Sequence, residues 1–319
     1  MAIGGASFVL ELRDDWAGRV VNSVSAGWYL ERTVASDVAA PLLSVETVAS
    51  CPPVPANLPS YPVPAGTCHT DDRTWYLEVA GSLVVIDAPG DIAVQAFVHR
   101  ETPADAPELV RLLTYAVSAA LRRSDRFELH SAALTDPGGR SVLIAGPSGS
   151  GKSTLSVHLA SAGWAYLTDD VLVLERQSAG MTAWPLRRAF AVTGATVAAS
   201  PALRAGGAMA DAFEQGAKRL FDPDAIFEHA AASCRPSALL FPELTHHPVS
   251  EVEAIPASAA LTRLLRLSPW ACYDRATAPR HIAALSALAS QAPAHVVRAG
   301  TDMLDQHAAA TLVARCLTT

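Results

Sequence analysis

The sequence predicts an α/β protein. A smaller β-rich part over residues 1–127 precedes a domain of alternating strands and helices over residues 128–319. Three observations predict it. A complete G-x-x-x-x-G-K-S stretch, Gly146-Pro147-Ser148-Gly149-Ser150-Gly151-Lys152-Ser153, stands between an apolar run, 141–145, and a helical run, 154–162. The pair Asp169-Asp170 opens a second apolar run only 17 and 18 residues after Lys152. Upstream, short apolar runs alternate with glycine and proline signals, as strands do.

In chain order, residues 7–12 read as a strand. Six prolines between Pro52 and Pro64 predict a surface loop or linker. Residues 74–79 and 83–87 flank Ala80-Gly81-Ser82 and predict a hairpin, with a third strand over 93–99. From Pro107 to Arg123, Leu109, Leu112, Leu113, Ala116, Val117, Ala120 and Leu121 recur at helical spacing. This connecting helix is expected to pack on the second domain. There, residues 129–134 and 142–145 are expected to pair across Asp136-Pro137-Gly138-Gly139. A strand over 171–175 follows the aspartate pair, and Gly163 is placed to cap the helix before it. Residues 238–242 read as a core strand stopped by Pro242, residues 257–265 as a helix, and 308–316 as a terminal helix.

The glycine-rich loop has a physical logic. Gly146, Gly149 and Gly151 permit backbone angles that side chains forbid, so successive N–H groups can curl around an anion. Ser148, Ser150 and Thr154 complete the loop's set of polar contacts. The helix beginning near Lys152 points its positive end at the same place. Lys152 would reach the β- and γ-phosphates of ATP, and Ser153 would hold Mg²⁺. Of the two carboxylates, Asp169 is expected to accept a proton from an attacking hydroxyl and Asp170 to hold the metal, although the roles could be exchanged.

The run Leu129-His130-Ser131-Ala132-Ala133-Leu134, the loop from Gly146 to Thr154, Gly163-Trp164 and Leu167-Thr168-Asp169-Asp170 resembles the catalytic domain of the bacterial HPr kinase/phosphorylase family. The match spans roughly residues 128–176. The resemblance implies a P-loop core of the HPr kinase/phosphoenolpyruvate carboxykinase type, use of ATP and Mg²⁺, His130 in the active site and Asp169 as base. It also implies transfer to a hydroxyl of a peptide or protein. Related kinase-like proteins act on a serine of a small peptide in peptide-modification pathways, lasso-peptide clusters among them. The resemblance stops at residues 184–194, which carry Arg187 and Arg188 but no Arg-Gly-Leu-Gly-Ile-like signature. Phosphorolysis, and HPr itself as acceptor, are therefore not implied. True HPr kinases are oligomers, so a homo-oligomer stays open.

Arg187, Arg188, Lys218 and Arg219 could neutralise phosphoryl charge, or form exposed basic pairs. Asp222 and Asp224 fit a proline turn or a metal contact. His246, His247 and His281 lack zinc-site spacing and read as exposed loop histidines. The first part carries no recognisable chemistry; a docking or dimerising module and a structural cover are equally open.

Composition bounds the rest. The net charge is −7 and the basic residues are scattered, so nothing marks a nucleic-acid footprint. Five cysteines with no C-x-x-C pair favour free thiols in a reducing compartment. No basic-then-apolar leader and no long apolar window are found, which predicts a cytoplasmic location without membrane contact. The expected function is transfer of the ATP γ-phosphate to a hydroxyl. A nucleotide-binding regulatory module without transfer, and a small-molecule hydroxyl kinase, are the alternatives.

Overall fold

The computed structural model describes residues 2–3, 6–7, 10–25, 42–63, 66–87, 92–104, 106–186, 189–206 and 218–318. The chain divides into two compact units, Met1–Arg126 with Arg275–Thr277, and Phe127–Asp274 with Ala278–Thr319.

The first unit opens with two short paired strands, β1 (Ala2–Ile3) and β2 (Ala6–Ser7), then β3 (Leu10–Leu12) and α1 (Asp15–Ser25). Residues 8–9, within the expected first strand, lie outside the described residues. There follow β4 (Leu43–Val48), β5 (Ser60–Val63), β6 (Gly66–Thr70), β7 (Trp75–Val79), β8 (Ser82–Ile86), β9 (Val94–His99) and α2 (Pro107–Arg123). One seven-stranded sheet results, in the order β3-β4-β9-β8-β7-β6-β5. Its β3–β4 and β4–β9 pairs are parallel and the others antiparallel. The unit is therefore mixed α/β rather than purely β.

One expectation needs correction here. The proline-rich stretch is not all loop, because β5 contains Pro62. That strand is the sheet edge, where a missing N–H costs no ladder bond. Helix α2 belongs to this unit. Its apolar stripe, Leu109, Leu112, Leu113, Ala116 and Val117, is buried over β7, β8 and β9 of its own unit. The alternation of β7, with Trp75, Leu77 and Val79 turned inward, supplies the apolar face that α2 covers.

The second unit begins with β10 (Arg126–Thr135), β11 (Ser141–Ala145), α3 (Lys152–Ser161), β12 (Ala165–Thr168), β13 (Val171–Gln177) and β14 (Gly180–Pro185). It continues with β15 (Phe190–Thr193), α4 (Gly194–Ala199), α5 (Pro201–Ala205), β16 (Lys218–Phe221), α6 (Pro223–Ile226), β17 (Pro236–Leu244) and β18 (Glu251–Ile255). Helices α7 (Ala257–Arg266), α8 (Trp270–Tyr273) and α9 (Ala278–Gln291), strand β19 (Ala294–Ala299) and α10 (Gln306–Cys316) complete it. The main sheet runs β14-β13-β10-β11-β17-β19-β18, with β12 also paired to β10. Strands β11, β17 and β19 are mutually parallel, and β10 is antiparallel to β11.

Every residue of β11 is buried, as expected of a strand covered on both faces. Val142 and Ile144 join a core with Leu155 and Leu159 of α3 and Leu312 and Val313 of α10. Leu143 and Ala145 join the opposite core with Leu264 of α7 and Leu285 and Leu288 of α9. This two-sided packing holds the end of β11, and hence the loop after it, in one place.

Pro242 does not stop its strand, as the sequence suggested; β17 runs on to Leu244. The ladder to β11 ends at Leu240, and beyond it, among the described residues, β17 stays paired with β19. All five cysteines are free thiols. Among the described residues no helix is long and apolar enough to cross a membrane.

Leu143, fully buried between the two layers, is the position to test. Leu143→Ala is expected to cost about 2–5 kcal/mol. Urea denaturation monitored by circular dichroism should show a lowered midpoint; an unchanged one would remove Leu143 from the core.

Candidate active site

The loop between β11 and α3 is shaped by its glycines. Gly149 and Gly151 are left-handed, with φ of 84° and 95°. Gly151 is the residue from which α3 starts. Gly146 is required for space instead: a Cβ there would lie 2.6 Å from Ser150 Oγ. A Cβ on Gly151 would meet Leu244 Cδ2 at 3.0 Å, so the end of β17 lies against the loop. Ser150 is buried, and its Oγ has no hydrogen-bond partner among the described residues. A buried polar atom without a partner is costly, and an anion in the cradle would relieve it.

Lys152 is buried at the first turn of α3, and its ammonium donates to the carbonyls of Gly146 at 2.7 Å and Pro147 at 3.0 Å. Burial lowers its pKa, partly opposed by the charges of Asp170 and Asp169. Lys218 acts in the same direction as burial. Ser148 is exposed at the loop's tip, and Ser153 and Thr154 are half-buried on the first turn of α3.

The aspartate pair forms the turn between β12 and β13. Asp169 is 4% exposed and accepts hydrogen bonds from Ser153 and from the Tyr166 hydroxyl, the latter at 3.3 Å to Oδ1. Burial, followed by the neighbouring Asp170 charge, pushes its pKa up to about 6 against those two bonds. Asp170 is more open and meets the other side of the site. Its Oδ1 is 3.1 Å from Nδ1 of His130, with the imidazole 36% and the carboxylate 30% exposed. The antiparallel pairing of β10 with β12 carries His130 toward this turn.

The loop, Lys152, Ser153 and the aspartate pair thus form one linked cluster, with His130 joined to it through Asp170. Arg187 and Arg188 lie outside the described residues. Asp222 caps α6 and accepts from Asp224 N at 3.1 Å, which is the turn reading of that pair. His246 and His247 are exposed, but His281 corrects the sequence reading: it lies in α9, fully buried, and stacks 4.7 Å from Phe127. Among the described residues no three His, Cys, Asp or Glu side chains group as a metal site. Mg²⁺ does not need such a cage, since one or two carboxylates and substrate phosphates suffice. Ser153 and Asp169 are hard oxygen donors held together beside the phosphate cradle, so they fit that ion.

Two contributors carry no sequence signal. Tyr166 is an ordinary apolar-strand residue until the fold turns its hydroxyl to Asp169. Thr196 of α4 contacts Thr154 through its hydroxyl at 2.9 Å, across 42 residues of chain.

No protein-family model and no curated protein matches the chain. Among solved structures it is similar to the Hpr(Ser) kinase/phosphatase from Coxiella burnetii, at 13% identity, covering 60% of this chain and 97% of that one. The TM-score is 0.30, a distant structural similarity and nothing finer. The site therefore stands on its own geometry.

Asp169 gives a pH prediction. Its folded-state pKa lies above the ordinary 3.8, so its favourable linkage is complete below about 4 and is lost as pH rises through about 6. Relative to Asp169→Asn, the wild type should lose roughly 3 kcal/mol of stability between pH 4 and pH 7. Parallel pH–stability curves for the two proteins would contradict the raised value.

Proposed function

We propose that this protein is a Mg-ATP-dependent phosphotransferase that moves the γ-phosphate to a hydroxyl of a peptide or protein, a serine in the simplest case. The observation that carries this reading is the link between Ser153 of the phosphate loop and the buried Asp169, beside the His130–Asp170 pair. A pure nucleotide sensor needs the loop but has no use for a second, half-buried carboxylate oriented by an imidazole.

In this reading the glycine loop and the N-terminus of α3 bind the triphosphate, and Lys152 leaves its carbonyl partners to contact the β- and γ-phosphates. Ser153 and Asp169 hold Mg²⁺, which supplies charge neutralisation when bound. The bond from Ser153 favours Asp169 over Asp170 for this task, the reverse of the order expected from sequence. Asp170 then accepts the proton of the acceptor hydroxyl, and His130 orients its carboxylate. As that O–H proton leaves, the acceptor oxygen forms the new bond to phosphorus. The bond from phosphorus to the β,γ-bridging oxygen breaks, and ADP departs with the electron pair. Asp170 is the better base on access as well, since Asp169 is almost wholly enclosed.

The test is a γ-phosphate transfer assay with labelled ATP and Mg²⁺ against serine peptides encoded near the gene, free serine and HPr. Asp170→Asn should lower the rate by at least ~10²-fold, about 2.7 kcal/mol of barrier, with ATP affinity kept. Asp169→Asn should weaken the Mg²⁺ dependence of nucleotide binding, and Lys152→Ala should weaken nucleotide binding itself. Full activity in Asp170→Asn would reject the base assignment. Tight ATP binding without transfer to any acceptor would favour the regulatory module.

A further inference from the structure

A second structure within the same unit converges on the site. Strands β15 and β16 pair antiparallel, with Phe190 opposite Phe221 and Thr193 opposite Lys218. Two separate anchors fix this ladder. At the Thr193 end, its hydroxyl is 3.2 Å from that of Thr196, which is 2.9 Å from that of Thr154 on the first turn of α3. At the other end, Phe190 stacks on Phe221 at 5.6 Å and on Phe227 at 5.4 Å. Tyr166 packs against Phe190 and Phe227 at 5.7 and 5.3 Å. That tyrosine is the donor to Asp169. The ladder is therefore tied to the phosphate-loop helix on one side and to the aspartate turn on the other.

Lys218 sits at the anchored end, opposite Thr193. Its charge is felt by both Lys152 and Asp169. Like charges near one another repel, and such an arrangement is useful where a polyanion is to lie close to both. The next residue, Arg219, points to the opposite face of the strand and is exposed.

We propose that Lys218 is a catalytic cation of the phosphoryl-transfer site, carried on the β15–β16 ladder to the oxygens of the transferring group. The assignment rests on the phosphotransferase reading above. As the phosphorus–bridging-oxygen bond breaks and the acceptor bond forms, negative charge spreads over the leaving and equatorial oxygens. Lys218 stabilises that charge and keeps its own proton; the acceptor's proton goes to the carboxylate. Thr154, Thr196 and Thr193 are positioning residues that set where the ammonium stands.

The experiment compares binding of Mg-ADP with binding of Mg-ADP plus aluminium fluoride, which imitates the transferring group, by calorimetry. The proteins are the full-length wild type, Lys218→Met, Lys218→Arg and Arg219→Ala. Lys218→Met should bind Mg-ADP within about threefold of wild type but lose ~10²-fold or more for the fluoride complex. Retained Mg-ADP binding also shows that the variant is folded. Lys218→Arg should recover most of the loss, and Arg219→Ala should behave as wild type. Equal fluoride-complex affinity in Lys218→Met, or an equal loss for both ligands, would overturn the assignment. Failure of the phosphotransferase reading would show instead in the wild type, as Mg-ADP binding with no gain from fluoride, and would remove the role of Lys218 with it.

Discussion

The site depends on one buried carboxylate. Asp169 is enclosed at the β12–β13 turn, where an ionised group pays a desolvation cost that its two hydrogen bonds only partly offset. Those bonds come from different elements: Ser153 from the first turn of α3 and Tyr166 from β12. Each donor is itself fixed. Tyr166 is held through its backbone, which receives from Ala231 N at 2.8 Å and donates to His229 O at 2.9 Å, and through its ring by Phe190 and Phe227. Ser153 follows Lys152, whose ammonium closes back on the loop carbonyls. Moving any one of these elements leaves the carboxylate short of a donor in a place water hardly reaches.

The sheet explains why the loop can be held so firmly. Strand β11 is buried on both faces, and it ends where β17 loses it as a partner. The stretch of β17 beyond that point holds Pro242 and brings Leu244 up against Gly151. Leu244 remains 64% exposed there. The loop is thus bounded beneath by the parallel strand ends, where open α/β sheets commonly gather ligands.

Much of this was legible in the sequence because sterics leave few ways to write it. The left-handed Gly149 and Gly151 favour glycine, and a side chain at position 146 would press on Ser150, so the loop announces itself. The stripe of α2 was equally plain, since 3.6-residue periodicity is local. Its partner was not, because an apolar stripe does not say which sheet it will cover; α2 chose the strands immediately before it. The same limit hid Tyr166 and Thr196, whose roles arise from contacts made across the fold. It also misplaced His281, whose ring is an apolar surface when stacked on Phe127 inside α9's core face. The aspartate pair stood out by position, yet its division of labour did not. Two adjacent carboxylates are equivalent until a strand sends one inward to Ser153 and the other outward to His130.

Charge balance argues that the site is built for an anion larger than its own carboxylates. Among the described residues, Lys152 and Lys218 bring two positive charges, and Asp169 and Asp170 two negative ones. Left to themselves, an ammonium and a carboxylate would lower their energy by pairing directly. Lys152 is instead bonded to two neutral carbonyls, and the Asp169 carboxylate to two neutral hydroxyls. Asp170 has an imidazole beside it. Lys152 and Asp169, each held by neutral partners, retain their field in a partly buried volume, where it acts most strongly on what enters. Such a field suits a reaction in which charge moves between oxygens and the protein does not have to reorganise as it does so.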